Sequence, residues 1–260
     1  MNNTVNIGMV TYNRLNYTKQ SIESILATTT DYPYVLTVID NNSQDGTQDY
    51  LKGLYKEGKI KNLVLLNENL GVAKASNIAW QMEDSIYYMK YDNDIIAKKN
   101  NWLSPMIAAL SNVEAVGMIG YSVEPHWHNG LITINGYKLM PKISNLGGAC
   151  VVIPRRTQDK LGFWCEDYGV YSEEDADYGR RIEMLGLMNV YMPDTTAFIH
   201  LSDIQSPGGE GEYFNWKHQQ RLNAMSTLGR NLHDYLEKRK PMYVPTNMKI
   251  SDIEQYRYRG

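Results

Sequence analysis

Two acidic runs carry the strongest chemical signal in the sequence. Asp92-Asn93-Asp94 closes an apolar and aromatic stretch that reads as a strand. Acids two apart in extended chain project to the same side, so Asp92 and Asp94 are placed to address a ribose hydroxyl and a divalent cation together. Hard carboxylate oxygens suit Mg2+ or Mn2+, and diphosphate oxygens usually complete the shell of such an ion, which points to a metal-bound nucleotide diphosphate. The second run, Ser172-Glu173-Glu174-Asp175-Ala176-Asp177, opens a helical pattern that continues through Arg180 and Arg181. Acids in a first turn complement the helix dipole, which explains one or two of them. Four carboxylates within five positions also repel one another, raising the proton affinity of at least one toward that of a general base for a sugar hydroxyl. The dipole and the two arginines act in the opposite sense, and the sequence leaves the net shift open.

These acids need a scaffold, and the first hundred residues supply one by alternating strand-like runs with helical patterns, as parallel sheets with crossover helices do. Strands are expected at 6–11, 34–40, 62–66 and 86–91. The first intervening helix is capped by Asn16 and places Ile22, Ile25 and Leu26 on one stripe; the second follows Asp45-Gly46-Thr47 with Tyr50, Leu51, Leu54 and Tyr55 inward; the third covers 71–82. Right-handed crossovers bring the carboxyl ends of parallel strands to one edge, where ligands bind. Thr11-Tyr12-Asn13-Arg14, Asp40-Asn41-Asn42-Ser43, Asn67-Glu68-Asn69 and Asp92-Asn93-Asp94 all end strands there. Turn and cap preferences of Asn and Asp explain any one of these segments more easily than four at once. Beyond residue 100 the alternation gives way to a helix at 102–110, a strand at 116–121, a hairpin or loop over 124–142 and a strand at 147–154. A helix at 172–186, short strands at 189–192 and 197–201, a Gly-rich loop at 206–212 and an amphipathic helix over 213–239 follow. The last twenty residues give no clear element.

Composition removes several classes of function. Lys plus Arg number 26 against 29 Asp plus Glu, without the basic excess that neutralises a polyphosphate backbone, so no nucleic-acid partner is expected. Cys150 and Cys165 fall in no C-x-x-C pair or zinc spacing and read as free thiols of a reducing compartment. The first residues lack an export signal, and no apolar run approaches the ~18 residues of a membrane span, so a cytoplasmic chain is expected. No G-x-G-x-x-G turn follows the first strand and no G-x-x-x-x-G-K-[ST] loop occurs, which excludes the dinucleotide fingerprint and the P-loop. The 20 tyrosines and 5 tryptophans offer flat rings on which a sugar can stack.

The motifs together resemble the family 2 glycosyltransferases. The matching pieces are Val10-Thr11-Tyr12-Asn13-Arg14, Val38-Ile39-Asp40-Asn41-Asn42-Ser43-Gln44-Asp45-Gly46-Thr47, Asn69-Leu70-Gly71 with Ala75 and Asn77, Asp92-Asn93-Asp94, Gly147-Gly148-Ala149, and Glu174-Asp175-Ala176-Asp177 with Arg181 and Gly186. The resemblance implies the α/β GT-A fold, a Rossmann-like, mainly parallel sheet flanked by helices. A catalytic domain at 1–212 would comprise a nucleotide-binding half (1–100) and an acceptor-binding half (101–212), followed by a C-terminal helix and tail (213–260). It implies inverting transfer from a nucleotide-diphospho-sugar, UDP-linked by preference, to a hydroxyl of a carbohydrate or glycoconjugate acceptor. Thr11, Asn13 and Asp40 would contact base and ribose, with Asp40 accepting from a uracil-type imide. Asp92 would meet the ribose, Asp94 and His200 the Mn2+ or Mg2+, and Asp175 would be the base. Tyr12, Arg14, Asn42, Gly71, Asn77, Asn93 and Gly148 complete the expected donor site. The family's usual arginine beside Asn77 is Ser76 here, with Lys74 the candidate substitute. Trp127, Trp164 and Glu174 are the expected acceptor contacts. The terminal helix is a candidate for peripheral contact with the inner face of a membrane. A sugar nucleotidyltransferase and a silent nucleotide- or carbohydrate-binding module are the competing readings.

Overall fold

The computed structural model describes residues 2–123, 130–144, 146–201 and 212–260, without the side chains of 2, 3 and 212–214. The N-terminal alternation runs β1 (Asn2–Thr11), α1 (Leu15–Thr28), β2 (Tyr34–Asp40), α2 (Thr47–Lys56), β3 (Asn62–Leu65), α3 (Val72–Gln81) and β4 (Ser85–Tyr91). These four strands lie in the order β3-β2-β1-β4 and pair in parallel. Parallel strands are buried on both faces, and β2 shows it: its last five residues are all buried.

The rest of the described chain is β5 (Ile95–Ala97), α4 (Leu103–Asn112), β6 (Val116–Gly120), β7 (Ile132–Ile134), β8 (Tyr137–Pro141), β9 (Cys150–Pro154), α5 (Arg155–Leu161), α6 (Glu174–Met184), β10 (Met188–Tyr191), β11 (Phe198–His200), α7 (Glu212–Leu236) and α8 (Ile250–Ile253). The large sheet continues past β4 as β9-β6-β10-β8-β7, with β9 antiparallel to both β4 and β6, and β10 parallel to β6. Segment 124–142 resolves in its described part as a hairpin, β7 pairing with β8 across Asn135-Gly136. Both turn residues have positive φ (50° and 85°), as a two-residue hairpin turn requires. β5 and β11 form a separate antiparallel pair beneath the edge where the strands end.

Side chains alternate between two cores. Ile7, Met9, Met89 and Val152 face α1, α2 and α4, packing with Ile22, Leu51, Met106 and Leu110. Tyr88, Val151 and Ile153 face the other layer, with Trp80 of α3, Leu161 of α5, and Tyr178 and Ile182 of α6. Helices on both faces of a mostly parallel sheet define the α/β class. α7 lays Ala224 and Leu228 against Cys165, Tyr168 and Val244. Cys150 and Cys165 are buried free thiols. Among the described residues no helix is long and apolar enough to cross a membrane.

Three local expectations are corrected. α1 starts at Leu15, not after an Asn16 cap: Arg14 is left-handed (φ 63°), and the Leu15 N–H donates to Asp45 Oδ2 at 2.8 Å. The helix is therefore capped by a neighbouring loop. β5 and α5 had no counterpart in the sequence pattern; β5 is three residues long and α5 follows directly on Pro154.

Candidate active site

The carboxyl ends of β1 and β2 are knitted into one unit. Asp40 Oδ1 accepts from Thr11 Oγ1 (2.8 Å) and Ser43 Oγ (2.6 Å). Its Oδ2 accepts from the Ser43 N–H (2.8 Å) and Gln48 Nε2 (2.9 Å). Asp40 is fully buried, and these four bonds fix the turn. Across the crevice the Asn13 N–H donates to Ser43 Oγ (2.7 Å), and Asn13 Oδ1 accepts from the Gln44 N–H (2.8 Å). Asn13, Arg14 and Asn42 all take left-handed φ, a cost that a site held by this many partners sustains. Tyr12 stands 48% exposed beside them.

The D-x-D segment departs from the extended geometry expected of it. Asn93 and Asp94 form a turn, so the two acids serve different corners. Asp94 Oδ2 pairs with Arg14 NH1 at 2.8 Å, and Oδ1 lies 3.4 Å from His200 Nε2. The β5–β11 pair makes that meeting, because His200 registers against Ile95 and the Leu201 N–H donates to Asp94 O at 2.7 Å. A carboxylate beside an imidazole fits a divalent ion that takes its remaining ligands from diphosphate and water. Among the described residues no group of three or more His, Cys, Asp or Glu side chains gathers as a metal shell. Asn93 turns inward, its Nδ2 donating to Thr18 Oγ1 at 2.9 Å.

Asp92 instead joins the second corner. Its Oδ1 receives Lys90 Nζ at 2.7 Å, and Lys90 also donates to Gly148 O at 3.0 Å. Gly148 has φ +51°, and a Cβ there would lie 3.1 Å from Asp175 Cβ and 3.2 Å from Lys90 Nζ. Gly148 thus packs against both Lys90 and Asp175. Glu174 is buried and Asp175 half-buried at the start of α6. Ser172 and Glu173, just before it, both adopt left-handed φ (85° and 67°). Burial raises the Asp175 carboxyl above the usual range, opposed by Lys90 and the Ala176 N–H and reinforced by Glu173 and Asp92. Burial, then the Asp175 charge, pushes Glu174 up to about 7 against the pull of Lys90. Lys90 is lowered by its own burial but held above its ordinary value by Asp92, Glu174 and Asp175.

Among the described residues the cation nearest Asp92, Glu174 and Asp175 is Lys90, and neither arginine of α6, while Glu173 pairs with Arg221 at 3.3 Å. Arg181 is fully buried, with Nε on Asp177 Oδ1 at 2.6 Å and its other nitrogens on the carbonyls of Leu161, Phe163 and Met242. Arg180 pairs with Glu183. Sequence reasoning missed Lys90, although Lys90, Asp92 and Asp94 alternate along one strand end.

Several expected contacts lie elsewhere. Trp164 is corrected to a core residue: it is fully buried, with Tyr178 and Trp80 at 4.7 and 5.2 Å between ring centres, and no sugar can stack on it. Asn77 is likewise fully buried, bonding the Trp164 backbone at both ends and Glu166. That spends its amide away from the crevice. Gly71 permits a close approach, since a Cβ would lie 2.6 Å from Val170 Cα. Lys74 is half-buried on the first turn of α3, and Ser76 is buried. Trp127, with His126 and His128, and Gly208, Gly209 and Gly211 lie outside the described residues.

A mostly parallel sheet thus brings acids, a lysine and a histidine to its carboxyl edge, where α/β sheets bind their ligands. The model of glycosyl transferase family 2 matches residues 6–159, more than half of the chain, and the chain belongs to that family. Over 112 residues it is 28% identical to TuaG of Bacillus subtilis (strain 168), which bears the name of a teichuronic acid biosynthesis glycosyltransferase; the match spans 43% of this chain and 44% of that protein. Two solved structures share the fold. A Pyrobaculum calidifontis mannosyltransferase in complex with GDP-Man and Mn2+ superposes with TM-score 0.66 at 18% identity, over 90% of this chain and 69% of that one. GalNAc-T7 with UDP, GalNAc and Mn2+ gives 0.67 at 14% identity, over 97% and 53%.

Proposed function

We propose that this chain transfers a sugar, with inversion, from a nucleotide-diphospho-sugar to an acceptor hydroxyl, and that Asp175 is the base. The observation that carries the reading is the second corner. A half-buried carboxylate there has a raised proton affinity, yet Lys90 opposes its protonation. The acceptor oxygen attacks the anomeric carbon as its proton passes to Asp175; the bond from that carbon to the diphosphate breaks on the opposite face. A positioned base contributes about 10² to 10⁴ in rate. Asp94 and His200 would hold Mn2+ or Mg2+, which when bound offsets the negative charge of the departing diphosphate. Asp92 would take the ribose, while Thr11, Tyr12, Asn13 and Asn42 would line the base site. Uridine is favoured through Asp40, which would accept the imide N–H in exchange for the Gln48 amide. The structures of like fold that carry GDP-Man or UDP support a nucleoside diphosphate donor as a class. Trp127 remains the proposed acceptor platform.

The test is a panel of nucleotide sugars with Mn2+, reading nucleoside diphosphate release with and without acceptors. Asp175→Asn is expected to lose transfer and keep donor binding, whereas Asp94→Ala weakens both; unchanged turnover in Asp175→Asn would remove that residue from the role.

A further inference from the structure

We propose that Tyr171 and Trp216 form the seat of the acceptor and that what they hold is an uncharged sugar ring; this deepens the transfer reading above and rests on it. Trp80, Trp102 and Trp164 are buried, whereas Trp216, early in α7, is 39% exposed. Its ring lies 5.9 Å from that of Tyr171, centre to centre, and is tilted 44° against it. Tyr171 stands four residues before Asp175, and the left-handed pair Ser172 and Glu173 leads from it directly into α6. The two rings therefore make a step at the edge of the corner that holds the base.

The step is fastened to that corner from both sides. Lys217 Nζ stands 5.0 Å from the centre of the Tyr171 ring, and Arg221, one turn further along α7, pairs with Glu173 at 3.3 Å. Beneath them the Val72 N–H donates to Val170 O at 3.1 Å, which ties the loop to the start of α3. Burial raises the proton affinity of the Tyr171 hydroxyl, opposed by Lys217 and reinforced by the charges of Asp92 and Glu174. The hydroxyl thus lies within electrostatic reach of the acids that surround Asp175.

The chemistry of the step selects its occupant. An indole packed on one side and open on the other offers a flat apolar face, and Lys217, Arg221 and Glu173 ring it with donors and an acceptor. Apolar surface with a few convergent polar groups is how small polar ligands are held, and a pyranose, with its C–H face and rim of hydroxyls, matches both parts. A serine or threonine hydroxyl brings no flat face to lay on the ring. Charge narrows the class further. Among the described residues, the carboxylates of Asp92 and 173–175 outnumber Lys90, Lys217 and Arg221, the cations that pair with them or stand beside Tyr171. A carboxylate or phosphate on the seated ring would meet no excess of positive charge, and like-charge juxtaposition rejects it.

Tryptophan emission reads the seat apart from transfer. The whole chain with UDP and Mn2+ is titrated with methyl glycosides of hexoses, N-acetylhexosamines and hexuronic acids. A shift to shorter wavelength is expected with a neutral glycoside and should be lost in Trp216→Phe. A shift that survives Trp216→Phe and vanishes in Trp127→Phe gives the seat to Trp127 and overturns the proposal, as does the absence of a shift with every glycoside. A shift with hexuronic acids alone overturns the uncharged ring. In the transfer assay Trp216→Ala should raise the acceptor KM roughly tenfold or more with the donor KM unmoved, and Trp216→Phe, which keeps a flat ring, should recover most of that loss. An acceptor KM indifferent to Trp216→Ala, or a loss that phenylalanine does not recover, overturns the seat; far-UV circular dichroism checks that both variants fold. A chain that shows the Trp216 shift yet releases no nucleotide from any donor keeps the seat and loses the transfer reading instead.

Discussion

Asp175 and Asp177 stand two residues apart on α6 and occupy opposite electrostatic settings. Asp177 is fully buried and saturated, taking Arg181 on one oxygen and the hydroxyls of Tyr168 (2.8 Å) and Tyr235 (3.0 Å) on the other. It bolts α6 to α7 and to the chain at 161–163. Asp175 is half-buried among other acids, with one lysine shared between it, Glu174 and Asp92. One charge is fully spent; the other is held short of neutralisation. Complete pairing makes an acid structural, and incomplete pairing leaves proton affinity for chemistry.

The sharpest way to break this comparison is Asp177→Ala, which strands a fully buried guanidinium. A loss of about 3–5 kcal/mol is expected, read as a fall in the urea midpoint, whereas Asp175→Asn should leave that midpoint nearly unmoved. Equal losses would erase the contrast. Lys90→Met comes next. The lysine favours the ionised form of Asp175, so its removal raises the carboxyl further, and the acidic limb of the transfer-rate profile should move to higher pH. A limb that stays in place would assign Lys90 to packing alone. Glu174 gives a stability signature. Its folded value of about 7 lies above the usual 4.5, so the native state holds the proton more tightly between those values and stability should fall as pH rises through that window. In Glu174→Gln that slope should flatten. The smallest effect is expected from Gly148→Ala. The positive φ and the contact near 3.1 Å with Asp175 should cost about 1 kcal/mol and a several-fold loss of turnover, measured by chemical denaturation and nucleotide release.

The N-terminal half of the sheet was legible because each buried parallel strand is a continuous apolar or aromatic run ended by Asn or Asp. β9 was legible as a strand but not in its direction, since nothing in Cys150-Val151-Val152-Ile153-Pro154 encodes antiparallel pairing. The motifs located Asp94, Asp175 and His200, but not burial. Asn77 and Trp164 sit in matching or aromatic positions, yet their side chains are consumed by packing that involves residues nearly ninety apart. The separation of Asp92 from Asp94 was hidden for a local reason, the turn that replaces extended chain at Asn93.

The β5–β11 ladder fixes more than distance. It closes an excursion of roughly a hundred residues with three register pairs, and the entropy of closing a loop grows with its length. Pairings this remote in sequence form slowly. The corner where Asp94 meets His200 is thus expected to mature late during folding, after the sheet it rests on, so that this contact reports that the chain between the two strands has already found its place.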